Sequence, residues 1–331
     1  MKEFDVRIVV TGSLAYDYIM NFPGNFKDHI LEDKVHMLTV SFLVDSMRRM
    51  RGGVAGNIAY SLALLGESPL VVGTVGEDFG EYRELMEQQG VDISGIAKIE
   101  DEFTASCFIN TDTANNQIVA FYAGAMAEAK SLSLLDLGLD TEDLVVISPT
   151  DPEAMSRYAD ECRQLGVSFL FDPGKQTPRL EGEQILAGLN GASVLIGNDY
   201  EFGMMAQKTG WTEEELIEST PLTVVTRGKE GSTIYSSEAG GEGLEIPSAP
   251  ISEFADPTGA GDAYLAGLVF GLARGFSLEV VGRVAALTAA YTVEQHGCQE
   301  HGFTPAEFAE RYADAFGPSP EVEALAEQVT R

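Results

Sequence analysis

The segment Asp256-Pro257-Thr258-Gly259-Ala260-Gly261-Asp262 carries the clearest chemistry in this sequence. A turn residue and a proline lead into small residues and then the apolar helical run 263–274, the pattern of a helix N-terminus. Small residues there leave successive backbone N–H groups uncovered, and the helix dipole adds positive potential, so the segment suits a phosphoryl group. Asp262 falls in the first turn, where its carboxylate could take the proton of an attacking hydroxyl. An acidic residue that merely complements the helix dipole would stand in the same place, and the residues alone leave both readings open. Asn198 and Glu201 follow directly on the apolar run 194–197, at the strand end where α/β sites gather, and they too could be no more than a helix cap and a surface carboxylate.

Two other phosphate-binding patterns fail. Gly174-Lys175-Gln176 and Gly228-Lys229-Glu230 lack the Ser or Thr that follows Gly-Lys in a P-loop, and the first strand runs into Gly12-Ser13-Leu14-Ala15 without a Gly-x-Gly-x-x-Gly. P-loop chemistry and a dinucleotide dehydrogenase are therefore disfavoured.

Short β-rich apolar runs recur at 7–13, 69–75, 144–148, 168–171, 194–197 and 222–226, several of them separated by helical patterns. That alternation predicts βαβ units and an α/β fold with a mostly parallel sheet covered on both faces. The rhythm breaks at 16–43 and 103–122, where period-two alternation predicts extended strands. Residues 103–110 and 117–122 flank the turn-like Asp112-Thr113-Ala114-Asn115-Asn116 and read as a hairpin. Residues 14–44 and 103–122 are accordingly expected to form a small β lid, and 1–13, 45–102 and 123–331 the catalytic core. The acidic tail after Pro318 reads as a short surface helix.

With 331 residues, 44% of them hydrophobic, the chain can bury a sizeable core. The formal charge of −31, from 52 acidic against 21 basic residues, repels nucleic acid and anionic membrane surfaces. An anionic ligand would need local help from helix N-termini, a few cations and Mg²⁺. Cys107, Cys162 and Cys298 lie far apart, and the four histidines show no ligand spacing, so neither a disulfide framework nor a structural zinc site is expected. The opening Met1-Lys2-Glu3-Phe4-Asp5-Val6-Arg7 shows no signal-peptide pattern, and a cytoplasmic location is the expectation.

Residues 256–269 resemble the C-terminal signature of the ribokinase-like (PfkB) carbohydrate and nucleoside kinases. Gly52-Gly53-Val54-Ala55-Gly56-Asn57-Ile58-Ala59, followed by Gly66 and Gly76, resembles their N-terminal signature, and the likeness runs from Gly12 to about His301. It implies a three-layer α/β/α core with a small β lid, Asp262 as catalytic base, and the amides of Gly259, Ala260 and Gly261 as the anion hole. Asn198-Asp199-Tyr200-Glu201 matches the family's N-x-x-E motif, which implies that Asn198 and Glu201 place Mg²⁺ and phosphate. Thr226-Arg227-Gly228-Lys229-Glu230-Gly231 resembles its nucleotide-phosphate loop, with Thr226 and Gly228 near the ATP phosphates and Gly231 opening the next strand. By the same likeness residues 285–301 line an adenine pocket, and a monovalent cation such as K⁺ sits near Asp256 and Thr258. Substrate contacts are expected from Ser13, Asp17, Gly53, Asn57 and Met126, with Asp17 gripping paired hydroxyls.

Gly12-Ser13-Leu14-Ala15-Tyr16-Asp17, Ala123-Gly124-Ala125-Met126 and Glu294-Gln295-His296-Gly297 resemble the prokaryotic adenosine and nucleoside kinases of the family more than its ribokinases or fructokinases. ATP-dependent phosphorylation of a nucleoside hydroxymethyl group, adenosine to AMP first, is the resulting expectation. A sugar kinase of the same family is the alternative, and a non-catalytic nucleoside- or nucleotide-binding relative stands behind it. The partner is then a small molecule, and monomer and homodimer are both open.

Overall fold

The computed structural model describes residues 6–30 and 39–328. In chain order they form β1 (Ile8–Thr11), β2 (Ala15–Asn21), β3 (Ser46–Gly52), α1 (Val54–Leu64), β4 (Leu70–Val75), α2 (Gly80–Gln88), β5 (Asp92–Lys98), β6 (Ala105–Thr111), β7 (Gln117–Tyr122), β8 (Leu144–Ile147), α3 (Pro152–Leu165) and β9 (Ser168–Phe171). There follow α4 (Gly182–Leu189), β10 (Val194–Asn198), α5 (Asp199–Thr209), α6 (Glu213–Ile217), β11 (Leu222–Thr226), β12 (Ser232–Ser236), β13 (Gly243–Ile246), α7 (Ala260–Ala273), α8 (Leu278–Val293), α9 (Pro305–Phe316) and α10 (Pro320–Gln328). No helix among the described residues is long and apolar enough to cross a membrane.

Nine strands make one sheet in the order β13-β12-β11-β10-β9-β8-β1-β4-β5, parallel from β11 to β5 and antiparallel at β12 and β13. The alternation of strand side chains builds a core on each face. Val10, Val146, Leu170, Ile196 and Val224 face one, against α1, α7, α8 and α9. Val9, Val145, Phe169, Leu195 and Val225 face the other, against α3, α4, α5 and α6. Because both faces are covered, these strands read as near-continuous apolar runs, and each buried Val, Leu or Ile contributes roughly 1.5–3 kcal/mol. Gly267 and Gly271 let α7 press on α8, since a Cβ on Gly267 would stand 2.7 Å from Ala285 Cα. Helices cover both faces of the sheet, the three-layer α/β/α core that the signatures imply. The tail helix α10 exists as expected, with Val322 and Leu325 buried in the first core.

The second sheet has the order β3-β2-β6-β7. The β6–β7 hairpin is antiparallel, as the sequence predicts, and β2 pairs with β6 in parallel. Its other edge differs from the expected boundary. Residues 46–52, read from sequence as core, are strand β3 of this small sheet, paired antiparallel with β2 from Ala15↔Gly52 to Asn21↔Ser46. Ser-Met-Arg-Arg-Met-Arg-Gly shows no apolar alternation because most of it is exposed, so the pairing that makes it a strand is not a local signal. Of the expected lid segment 14–44, residues 31–38 lie outside the described residues.

His301 is held between α1 and α8, its ring nitrogens 3.3 Å from Ser61 Oγ and Thr292 Oγ1 and its ring edge-on to Tyr60. Burial pushes its pKa down from 6.5 to about 4, so the native state keeps the neutral imidazole. Above pH 6.5 the folded and unfolded chains both carry it neutral. Between 6.5 and about 4 only the unfolded chain takes up the proton, so stability is lost as pH falls through that window, by about 1.4 kcal/mol per pH unit. Denaturant titrations between pH 6.5 and 5 should show a steeper loss for wild type than for His301→Gln, and equal slopes would refute this assignment.

Candidate active site

A cleft of about 300 Å³ opens at the carboxyl ends of the central strands, where the loops after β8, β9, β10 and β11 meet the N-terminus of α7. Gly259, Gly261 and Asp262 line it, together with Thr258, Asn198, Glu201 and Thr226. Residues more than 60 positions apart in sequence, expected to share a site, are thus brought to one place. Asp172 and Lys175, which sequence reading did not assign to the site, join them there. Both follow the buried strand β9, and a Lys two residues past an Asp-Pro at a central strand end was the available signal.

The α7 N-terminus is open where it faces the cleft. Gly259 takes the left-handed conformation at the cap (φ 82°), and a Cβ on it would press on Cys298 at 3.0 Å. At Gly261 nothing lies within 4 Å of where a Cβ would be. Ala260 differs from the expected third member of the anion hole: its N–H donates to Pro257 O at 3.2 Å, and it does not line the cleft. Asp256 accepts from both the N–H (2.9 Å) and the hydroxyl (2.6 Å) of Thr258, so the two residues expected at a cation are bonded to each other in the turn before the helix.

Asn198 and Glu201 form a reciprocal capping box on α5, each side chain accepting from the other's backbone N–H at 2.9 Å. The cap and the cleft lining are one structure, since both residues face the cleft while holding the helix start. Thr226 lines the cleft beside them, but Gly228 and Gly231 do not. Gly231 is required by packing: its φ is 90°, and a Cβ would stand 2.1 Å from Ile246 O. Arg227 turns toward β12 and β13, bonding to Thr233 and lying 4.0 Å from Glu245, so it is not a cleft cation. Lys175 is the only basic side chain lining the cleft among the described residues.

The electrostatics follow. Burial raises the pKa of Asp262, opposed by the hydrogen bond from Asn57 and by the Lys175 charge. Burial likewise raises Glu201 and lifts Asp172 well above the carboxylate range, the charges of Glu201 and Asp262 adding to the shift at Asp172. Asp17, on β2, is raised mainly by burial, with Lys175 opposing and Asp262 and Asp256 adding. Met50, Cys107 and Phe121 stand in register with Asp17 and share its sheet face.

The remaining substrate-side residues make contacts within the chain. Asn57 directs its Nδ2 to Asp262 Oδ2 at 2.7 Å rather than standing free for a ligand. Ser13 Oγ accepts from Val54 N at 3.0 Å, so it caps α1. Gly53 (φ 85°) lets the start of α1 lie against 13–15, where a Cβ would be 2.5 Å from Ser13 O. Met126 is 4% exposed and packs with Ala15 and Ala105 in a small cluster at the root of the second sheet. Residues 285–301 line no part of the cleft, and Ala285, Leu287, Thr288, Thr292 and His301 are core because α8 packs on α7 and the first sheet. Among the described residues no three acidic, His or Cys side chains converge as a ready-made metal site.

A mostly parallel nine-stranded sheet, a small second sheet, and a glycine-opened helix start with an aspartate in its first turn together define the ribokinase-like class of small-molecule kinases. The chain belongs to the pfkB family of carbohydrate kinases, whose family model matches residues 7–305. A nucleoside kinase of Methanothermobacter thermautotrophicus is 32% identical over 321 residues, covering 96% of this chain and 99% of that protein. The structure of Burkholderia thailandensis nucleoside kinase in complex with inosine superposes with a TM-score of 0.83 at 35% identity, covering 94% of this chain and 98% of that one. The ADP–inosine complex of the same enzyme gives 0.82 at 37% identity, covering 95% and 97%.

Proposed function

We propose that this chain transfers the γ-phosphoryl group of ATP to the 5′-hydroxymethyl group of a nucleoside, with adenosine the first substrate to test. The observation that carries the reading is the glycine-opened start of α7, which sets Asp262 on the cleft wall beside Gly259, Gly261 and Lys175, while Asp17 stands on an apolar face of the small sheet. Asp17 suits the vicinal hydroxyls of a ribose because a carboxylate accepts two hydrogen bonds at once. Phe121 (51% exposed), Met50 and Cys107 around it suit a flat base, which a bare sugar would not fill. The similarity to nucleoside kinases over nearly the whole chain supports the same choice.

In the step itself Asp262 takes the hydroxyl proton as the oxygen forms its bond to the γ-phosphorus and the bond to the β-phosphate oxygen breaks, releasing ADP. Gly259, Gly261 and Lys175 offset the charge on the transferring group. Mg²⁺ fits the residues present, because a nucleotide-borne ion that keeps several waters needs only one or two carboxylates, and Glu201 offers one on the cleft wall beside Asn198. When bound, it would neutralise charge on the β- and γ-phosphates.

ADP release should be measured with ATP–Mg²⁺ and adenosine, inosine, cytidine, ribose, fructose and fructose 6-phosphate. The expected result is a kcat/KM for adenosine or inosine at least about tenfold above any sugar, the discrimination a base-binding surface supplies. A sugar that leads the panel overturns the nucleoside assignment and leaves a sugar kinase.

A further inference from the structure

Behind Asp262 runs a chain of buried hydrogen bonds whose direction is fixed at both ends. It starts at the backbone carbonyl of Gly52, the last residue of β3, which can only accept. Tyr82 on α2 donates its hydroxyl to that carbonyl at 3.1 Å, so the phenol oxygen presents a lone pair to its other neighbour. That neighbour is Gln299, whose Nε2 donates to the Tyr82 oxygen and, at 3.0 Å, to Asn57 Oδ1. With its carbonyl occupied, Asn57 must turn its Nδ2 outward, and it meets Asp262 Oδ2 at 2.7 Å. Asn57, Gln299 and Tyr82 are 5%, 4% and 1% exposed, so water does not compete for these bonds. Burial raises the Tyr82 phenol far above its ordinary range, which keeps it a donor at any working pH.

Gly56 is the clearance for this chain. A Cβ there would fall 2.0 Å from the Tyr82 hydroxyl and 3.2 Å from Gln299 Nε2. The glycine sits in the first turn of α1, where it weakens the helix, and the room it leaves is filled by the polar relay.

We infer that Gln299 and Tyr82 are positioning residues for the base: they lock the Asn57 amide in the orientation that donates to Asp262 Oδ2, which leaves Oδ1 for the substrate hydroxyl. The inference deepens the kinase reading and rests on it for the word base. Without Gln299 the Asn57 amide is free to rotate and offer its own oxygen to a carboxylate, exchanging a charge-assisted bond for a repulsive contact. The other charged or titratable groups in the field of Asp262 are Lys175, Asp17, Asp172, Glu201 and the Cys298 thiol, and they are the same in wild type and variant.

The test is the titration of the Asp262 carboxyl in the full chain carrying ¹³C-labelled aspartate, its signal assigned with Asp262→Asn. In Gln299→Met, which keeps side-chain length and removes both donors, the Asp262 pKa should rise by about one unit, the worth of one charge-assisted hydrogen bond. The acid limb of kcat/KM should move with it, and kcat at neutral pH should fall about tenfold while KM for ATP stays within about twofold. Tyr82→Phe, a milder change, should shift the titration in the same direction by less and serves if Gln299→Met does not fold. An Asp262 titration unmoved in the folded variants overturns the relay. The carboxyl signal needs no turnover, so a shift in a chain that phosphorylates neither nucleosides nor sugars would sustain the relay and refute the kinase reading alone.

Discussion

Asp262→Asn is expected to lower kcat for nucleoside phosphorylation at least about a thousandfold, with little change in KM for either substrate, which is the signature of an interaction made only in the transition state. The asparagine keeps the shape and can still accept the Asn57 hydrogen bond through its oxygen, but it cannot take a proton. The Asn57 contact and the α7 helix start are then undisturbed, so the loss reports chemistry rather than folding. Stability should move the other way. Burial raises the Asp262 pKa above 3.8, so the native state holds its charge at a cost that grows as pH rises through the unfolded value. Removing that charge should leave Tm at pH 7 unchanged or higher, as expected where a site trades stability for activity. A variant with residual kcat within tenfold of wild type would mean that Asp262 only complements the helix dipole, and the base would have to be sought elsewhere.

Lys175→Met should reduce kcat/KM about a hundredfold, through both a raised KM for ATP and a lower kcat. The reason is the charge balance of the cleft. Asp172, Glu201 and Asp262 line it, Asp17 adds its field, and a triphosphate must enter the same space in a chain of net charge −31. Lys175 is the only basic side chain on the cleft wall among the described residues, and its charge opposes the raised pKa of all four carboxylates. Methionine retains the length and loses the charge. Lys175→Arg should recover part of the activity, because it restores charge with a different geometry. Steady-state kinetics at fixed ionic strength decides: kcat and KM for ATP within twofold of wild type in Lys175→Met would remove this lysine from phosphate binding.

What could be read from the residues was what depends on near neighbours in sequence. The apolar runs at 168–171 and 222–226 are strands as read, because a strand buried on both faces needs no polar alternation. The hairpin of β6 and β7 was legible from its turn, and the start of α7 from small residues ahead of an apolar run. Asp262 could be placed at a helix start by the same local logic, although its neighbours could not be named.

Tertiary structure decided which groups meet. Gln299 lies 242 positions from Asn57, and nothing in its local sequence marks it, since a single buried amide has no period, cap or turn to announce it. Lys175 became a site residue only because β9 and β10 are adjacent parallel strands whose following loops open on one cleft. Met126 packs at the root of the small sheet and Ser13 caps α1, contacts that no local pattern announces. Strand β3 acquired its sheet by pairing with β2 across a long connection, against the weak propensity of an arginine-rich run. The amino-acid order thus determined the elements and the helix start that bears Asp262, because hydrogen-bond and apolar periods are local. The composition of the cleft, the place of Lys175 in it and the relay behind the aspartate arose only when the sheet order brought distant segments within hydrogen-bond reach.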